Sequence, residues 1–166
     1  MSTNASTSLN SRNSLLRSIV LGGIIIGMLH VIIQEWLVFS LLQKTPFILV
    51  LQYLASGALG NAAFEGGLAT ALLGVLFHFF VSFVVAGVFI LSADRIPLLR
   101  RYVIVGSLLY GIGVFIVMNF IVLPLSAAPP LPAPPLPLLI ELIIEHALLI
   151  GLPLGILIRR NANIKK

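Results

Sequence analysis

Four stretches of this chain, at about residues 18–42, 67–93, 102–123 and 137–158, are almost uninterrupted apolar sequence. Each is long enough to cross a bilayer, since a spanning helix needs about 20 apolar residues at a rise of about 1.5 Å each. Strands of a membrane barrel would instead alternate over about ten residues. These runs are apolar all round, so helices are expected and lipid is the solvent they require. Composition agrees: 59% of the 166 residues are hydrophobic and 9% are charged, against about 25% charged in soluble domains. The expected fold is all-α, one polytopic membrane domain of four transmembrane helices plus a short interfacial helix.

That short helix is expected at about 46–59. The run is too short to cross, begins with Thr45-Pro46 as an N-terminal signal, and ends near Gly57, Gly60 and Asn61. Residues 1–17 read as a polar cytoplasmic tail whose Ser/Asn-rich part favours disorder, and 159–166 as a basic cytoplasmic tail. The apolar run after Arg17 exceeds the about 7–15 residues of a signal-peptide core and lacks a clear cleavage site. Nine of the ten basic residues fall on one side of the four-span arrangement: Arg12, Arg17, Arg95, Arg100, Arg101, Arg159, Arg160, Lys165 and Lys166. Only Lys44 falls on the other, so the positive-inside rule places both termini in the cytoplasm. The net charge of +5 therefore serves topology, and nucleic acid is not an expected partner. The outer loop 124–137 holds seven prolines and no charge. It reads as a stiff polyproline strap, or alternatively as a docking surface.

With no cysteine, thiolate metal sites and cysteine nucleophiles are excluded. Three histidines, His30, His78 and His146, stand near the middle of three different apolar runs. Ionisable groups at that depth are costly and face protein or water. Glu35, Glu65, Glu141 and Glu145 all fall in the outer half, where Asn119 also lies. On α-helical spacing, His30 shares a face with Gln34 while Glu35 points elsewhere. Glu141 and Glu145 share a face, and His146 lies about 100° around from Glu145. Gly67, Ala71, Gly74, His78 and Ser82 form one stripe of small residues, which turns His78 towards another helix.

These positions support an outward-facing polar site centred on His78, His146 and Glu145, with His30 and Asn119 next. Imidazole and carboxylate suit zinc, iron, copper or manganese, and two facing histidines can hold a haem. A small cation or a proton in transit is the other use of such a set. The plainer reading lets each histidine bond a carbonyl of a neighbouring helix. Glu65 has a plain reading as well, as a negative charge near a helix N-terminus. Gly151 and Pro153 predict a kink in the last helix, and Tyr110 needs a hydrogen-bond partner. There is no HExxH, no phosphate loop and no nucleophile–base pair, so an enzyme is the third reading. An accessory subunit of a larger membrane complex, or a homo-oligomer, docking through Gly-rich helix faces, is the alternative.

The segments Leu51-Gln52-Tyr53-Leu54-Ala55-Ser56-Gly57, Ala63-Phe64-Glu65-Gly66-Gly67 and Phe77-His78-Phe79 carry a resemblance. So do Met118-Asn119-Phe120, Val122-Leu123-Pro124-Leu125-Ser126, and His146 with Gly151-Leu152-Pro153. Over about residues 20–160 the chain resembles an uncharacterised family of small bacterial four-helix inner-membrane proteins. The resemblance implies four helices, a short amphipathic segment after the first, and no established activity. Members of that family often carry an acidic residue where this chain has His30, which ranks His30 behind His78 and His146.

Overall fold

The computed structural model describes residues 3–164, with side chains over 13–160. Arg12, Lys165 and Lys166, used above for orientation, lie outside the described side chains. Every regular element among the described residues is helical. α1 runs Thr3–His30 and continues as a π-helical segment, Val31–Leu42. α2 is Phe47–Leu59, followed by a 3-10 segment, Gly60–Phe64. α3 is Gly67–Arg95, and α4 is the short Pro97–Arg101. α5 comprises Val103–Val117, a π segment Met118–Val122, and a last turn Leu123–Leu125. α6 comprises Leu136–Glu145, a π segment His146–Gly151, and Leu152–Ile164.

Among the described residues, five helical stretches are long and apolar enough to cross a membrane: Asn13–Leu42, Phe47–Phe64, Gly67–Arg95, Val103–Leu125 and Leu136–Arg160. Four of them overlap the four apolar stretches of the sequence. The fifth reaches that length only with the 3-10 segment added: α2 itself ends at Leu59, where Gly60, at φ +59, breaks the helical path in a conformation that suits glycine. The first helix also begins earlier than expected. No glycine or proline interrupts the chain before Gly22, so a helix set by the apolar run propagates back through Ser and Asn to Thr3.

Small residues set how the helices meet. Along α1 and α3, Gly22 faces Ala86 and Ile90, Gly23 faces Phe83, and Gly27 faces Phe79 and Ser82. Residue numbers rise on one helix as they fall on the other, so the pair is antiparallel. α5 and α6 are antiparallel by the same test: Gly111 abuts the carbonyl of His146, Gly151 the carbonyl of Ser107, and Gly155 the side chain of Ser107. On α3, Gly74 lies against the backbone of Leu51 in α2. Of the predicted small-residue stripe on α3, Ala71, Gly74 and Ser82 are buried and His78 is half-buried, with Gly74 serving α2 and Ser82 serving α1, whereas Gly67, at the start of the helix, is exposed. The opposite stripe of Leu68, Leu72, Leu76, Phe80, Val84 and Val88 faces outward.

A buried core joins the helix pairs through Ile26, Ala86, Phe89, Ile90, Val114, Ile150 and Leu154. Tyr110 packs its ring against Phe89 at 5.0 Å and donates its hydroxyl to the carbonyl of Val85 at 2.7 Å. Gln52 donates to the carbonyl of Gly67 at 3.0 Å and to Thr70 Oγ1 at 3.2 Å, tying α2 to the start of α3. Beyond α5, the amide of Ala127 donates to the carbonyl of Gly57 at 2.9 Å. The proline-rich strap therefore starts against the end of α2. It runs without regular structure until α6 begins at Leu136.

Two glycines of α5 give a paired test. A Cβ on Gly111 would overlap the His146 carbonyl and come within 2.9 Å of Ala147 Cα, whereas Gly113 has open space around it. Gly111→Ala is expected to cost about 1–3 kcal/mol by forcing the helices apart. Gly113→Ala is expected to add about 0.5–1 kcal/mol by favouring the helix. Thermal unfolding in detergent reads both, and equal effects would contradict the packing.

Candidate metal centre

The helix contacts bring the three histidines to one level. His30, at the end of the α-helical part of α1, stands between the other two. Its ring centroid is 5.3 Å from that of His78 on α3 and 5.3 Å from that of His146 on α6. The sequence ranked His30 behind its partners, yet it is the member that touches both.

Two carboxylates complete the cluster. His30 Nδ1 lies 3.4 Å from Glu35 Oε1, and His30 Nε2 lies 3.5 Å from Glu145 Oε1. Glu145 Oε2 lies 2.7 Å from His146 Nδ1. Glu35 and Glu145 are buried, 4% and 6% exposed, so these are not surface pairs traded easily for water. Glu141, one turn before Glu145, is within electrostatic reach of His30, Glu145 and His146.

The inclusion of Glu35 corrects the helical-wheel expectation. The ladder changes from α to π at Val31. An i→i+5 ladder has more residues per turn, so a residue five along comes back towards the same face. Glu35 is five residues after His30. A second π segment begins at His146. Glu145 and His146, placed 100° apart by α-helical spacing, converge on His30 from that junction. The expected kink near Gly151 and Pro153 takes this form. Pro153 has no N–H to offer, and the ladder just before it widens.

The other sequence candidates fall into place around the cluster. The His78 ring nitrogen Nε2 lies 3.1 Å from the carbonyl of Gly27, and His146 Nδ1 lies 2.8 Å from the carbonyl of Leu142. A carbonyl only accepts, so those nitrogens carry protons, and in the neutral ring the nitrogen left to ligate is Nδ1 of His78 and Nε2 of His146; His146 Nδ1 lies between two acceptors, the Leu142 carbonyl and Glu145 Oε2. Holding an imidazole in this way orients it as a metal ligand. Phe115 covers one edge of His146, with centroids 5.2 Å apart. Asn119 is not brought into the cluster: its amide donates to the carbonyl of Phe115 on its own helix at 2.9 Å. Glu65 is exposed and precedes the start of α3, in keeping with its plain reading.

Several buried atoms of the cluster make no hydrogen bond within the protein: His30 Nδ1, Glu141 Oε2 and Glu145 Oε1, the other Glu145 oxygen being held by His146 Nδ1. Gln34, 1% exposed, leaves both its amide nitrogen and its amide oxygen without a bond. Buried polar atoms are nearly always paired, and each exception costs about 1–3 kcal/mol. Here the exceptions gather in one place. Among the described residues, two sets of three side chains have ligand atoms all within 4.8 Å of one another: His30 with Glu145 and His146, and His30 with Glu35 and His78.

No protein-family model, curated protein or solved structure matches the chain. The functional reading therefore rests on the cluster itself.

Gln34 supplies a test of this description. Replacing an unbonded buried amide by an apolar side chain of similar size removes its desolvation cost. Gln34→Leu is expected to raise stability by about 1–3 kcal/mol in metal-free protein, read as a higher thermal midpoint. A lower midpoint would mean that Gln34 has a partner within the fold.

Proposed function

We propose that this chain is a polytopic inner-membrane protein of a bacterium that binds a divalent transition metal of the zinc class at the His30 cluster. The observation that carries the reading is the pair of gaps around His30. A charge-assisted hydrogen bond between imidazole and carboxylate is about 2.7–2.9 Å long. The contacts from His30 to Glu35 and Glu145 are 3.4 and 3.5 Å. Two ligands of a tetrahedral ion with bonds of about 2.0–2.1 Å stand roughly 3.4 Å apart. The spacing is long for a direct bond and suits two donors on one ion. Neutral imidazoles oriented by carbonyls, beside carboxylates and without thiolate, form a donor set for zinc, iron, copper or manganese.

The same groups, Glu35, His30, Glu145 and His146, also form a chain along which a proton can pass. The two long gaps favour the ion over that use. A purely structural accessory role leaned on Gly-rich faces as docking surfaces. Gly22, Gly23, Gly27, Gly74, Gly111, Gly151 and Gly155 are filled instead by the chain's own helices.

The proposed topology has four crossings, with both termini cytoplasmic and α2 confined to the outer half. Its support is the antiparallel pairing of α1 and α3. A chain that leaves one helix and returns antiparallel beside it has not crossed in between, and the end of α2 meets Ser126 and Ala127 beyond α5. The positive-inside rule then sets the orientation.

Metal content decides the functional proposal. Full-length protein in detergent, equilibrated with Zn2+ and washed with a weak chelator, is expected to retain the ion. His78→Ala/His146→Ala is expected to lose it with helical circular dichroism unchanged. Wild-type protein that retains no zinc, manganese, iron or copper would remove the metal reading. Topology has an independent check because the chain has no native cysteine. Single cysteines at Thr45, Asn61 and Leu131 are expected to react with a membrane-impermeant thiol reagent from the same side, opposite to one at Leu98. Labelling of 45 and 61 from opposite sides would mean that α2 crosses.

A further inference from the structure

The two ligand sets meet at one residue, and they use opposite edges of its ring. Glu35 approaches Nδ1 of His30, and Glu145 approaches Nε2. His78 joins the first set and His146 the second. A single ion cannot sit on both edges of one imidazole. A one-ion site would therefore leave one of the two carboxylates, each buried, facing a ring edge across an unfilled gap.

We infer that His30 is a bridging ligand shared by two divalent metal ions, one held with Glu35 and His78 and the other with Glu145 and His146. This deepens the metal reading above and rests on it. Binding of the second ion at the other ring nitrogen displaces the His30 ring proton, which leaves to solvent, and each ion then has one buried carboxylate of its own, Glu35 or Glu145. The orphaned atoms agree: His30 Nδ1 lies on one side of the ring, and Glu145 Oε1 and Glu141 Oε2 belong to the other set and its neighbour. On the protein's side, the three histidines and two carboxylates come from three helices, so both ions would hold α1, α3 and α6 together.

The test is zinc stoichiometry of the full chain in detergent after equilibrium dialysis, measured by elemental analysis. Wild type is expected to hold about two Zn2+ per chain. Glu35→Gln/His78→Ala and Glu145→Gln/His146→Ala are each expected to hold about one, and His30→Ala to weaken both sites more than tenfold. Circular dichroism and gel-filtration profiles matching wild type show that a variant folds. The single substitution Glu35→Gln, expected to weaken one site only, serves where a double variant does not fold. One Zn2+ in wild type, lost in His30→Ala, would overturn the bridge and leave the metal reading intact. Two Zn2+ that persist in Glu35→Gln/His78→Ala would also overturn the bridge, since the second ion would then sit elsewhere. No Zn2+ in wild type would remove both.

Discussion

Close approach of helix backbones at glycine is the constraint from which the remaining structure follows. Where Gly27 lies against α3, its carbonyl comes within reach of the His78 ring. Where Gly111 lies against the His146 carbonyl, α6 is fixed in register with α5. In the lipid setting proposed above, apolar surface gives helices little reason to associate, so contact at small residues and a few polar bonds carry the association. The same contacts fix depth. Three histidines from three helices share a level because the glycines around them permit one register.

That register gathers charge where charge is expensive. Two buried carboxylates and three imidazoles lie together, with several of their atoms unbonded. A fold selected for stability alone would place apolar side chains there. Local geometry is also spent at this level, since π segments begin directly after His30 and at His146. Such segments concentrate at functional sites, because they re-aim side chains that regular α-helix would separate. A ligand that accepts the unbonded atoms gives this expenditure a purpose, and two metal ions accept more of them than one.

Much of the architecture was legible in the sequence. Continuous apolar runs named the helices, and the stripe through Ala71, Gly74, His78 and Ser82 named the inward face of α3. The shared level of the three histidines followed from their place within the runs. What escaped sequence reasoning has one physical origin. The wheel used to place side chains assumes an α-helical ladder, and the ladder widens at Val31 and at His146. Glu35 was set aside for that reason, and Glu145 was separated from His146. No residue type marks a π segment reliably, although Pro153 is a cause that sequence offers for the second. His30 ranked low on a family resemblance and stands at the centre on geometry. Asn119 stood beside His30 in that ranking on depth alone, and its amide is spent on its own helix.

Zinc K-edge X-ray absorption of the zinc-loaded protein tests the central claim most directly, because it reports the donors rather than the binding. The account predicts a first shell of nitrogen and oxygen at about 2.0–2.1 Å, with outer-shell scattering from ordered imidazoles that diminishes in His30→Ala. A shell of oxygen donors alone, with no imidazole scattering, would contradict it and move the ion away from the three histidines.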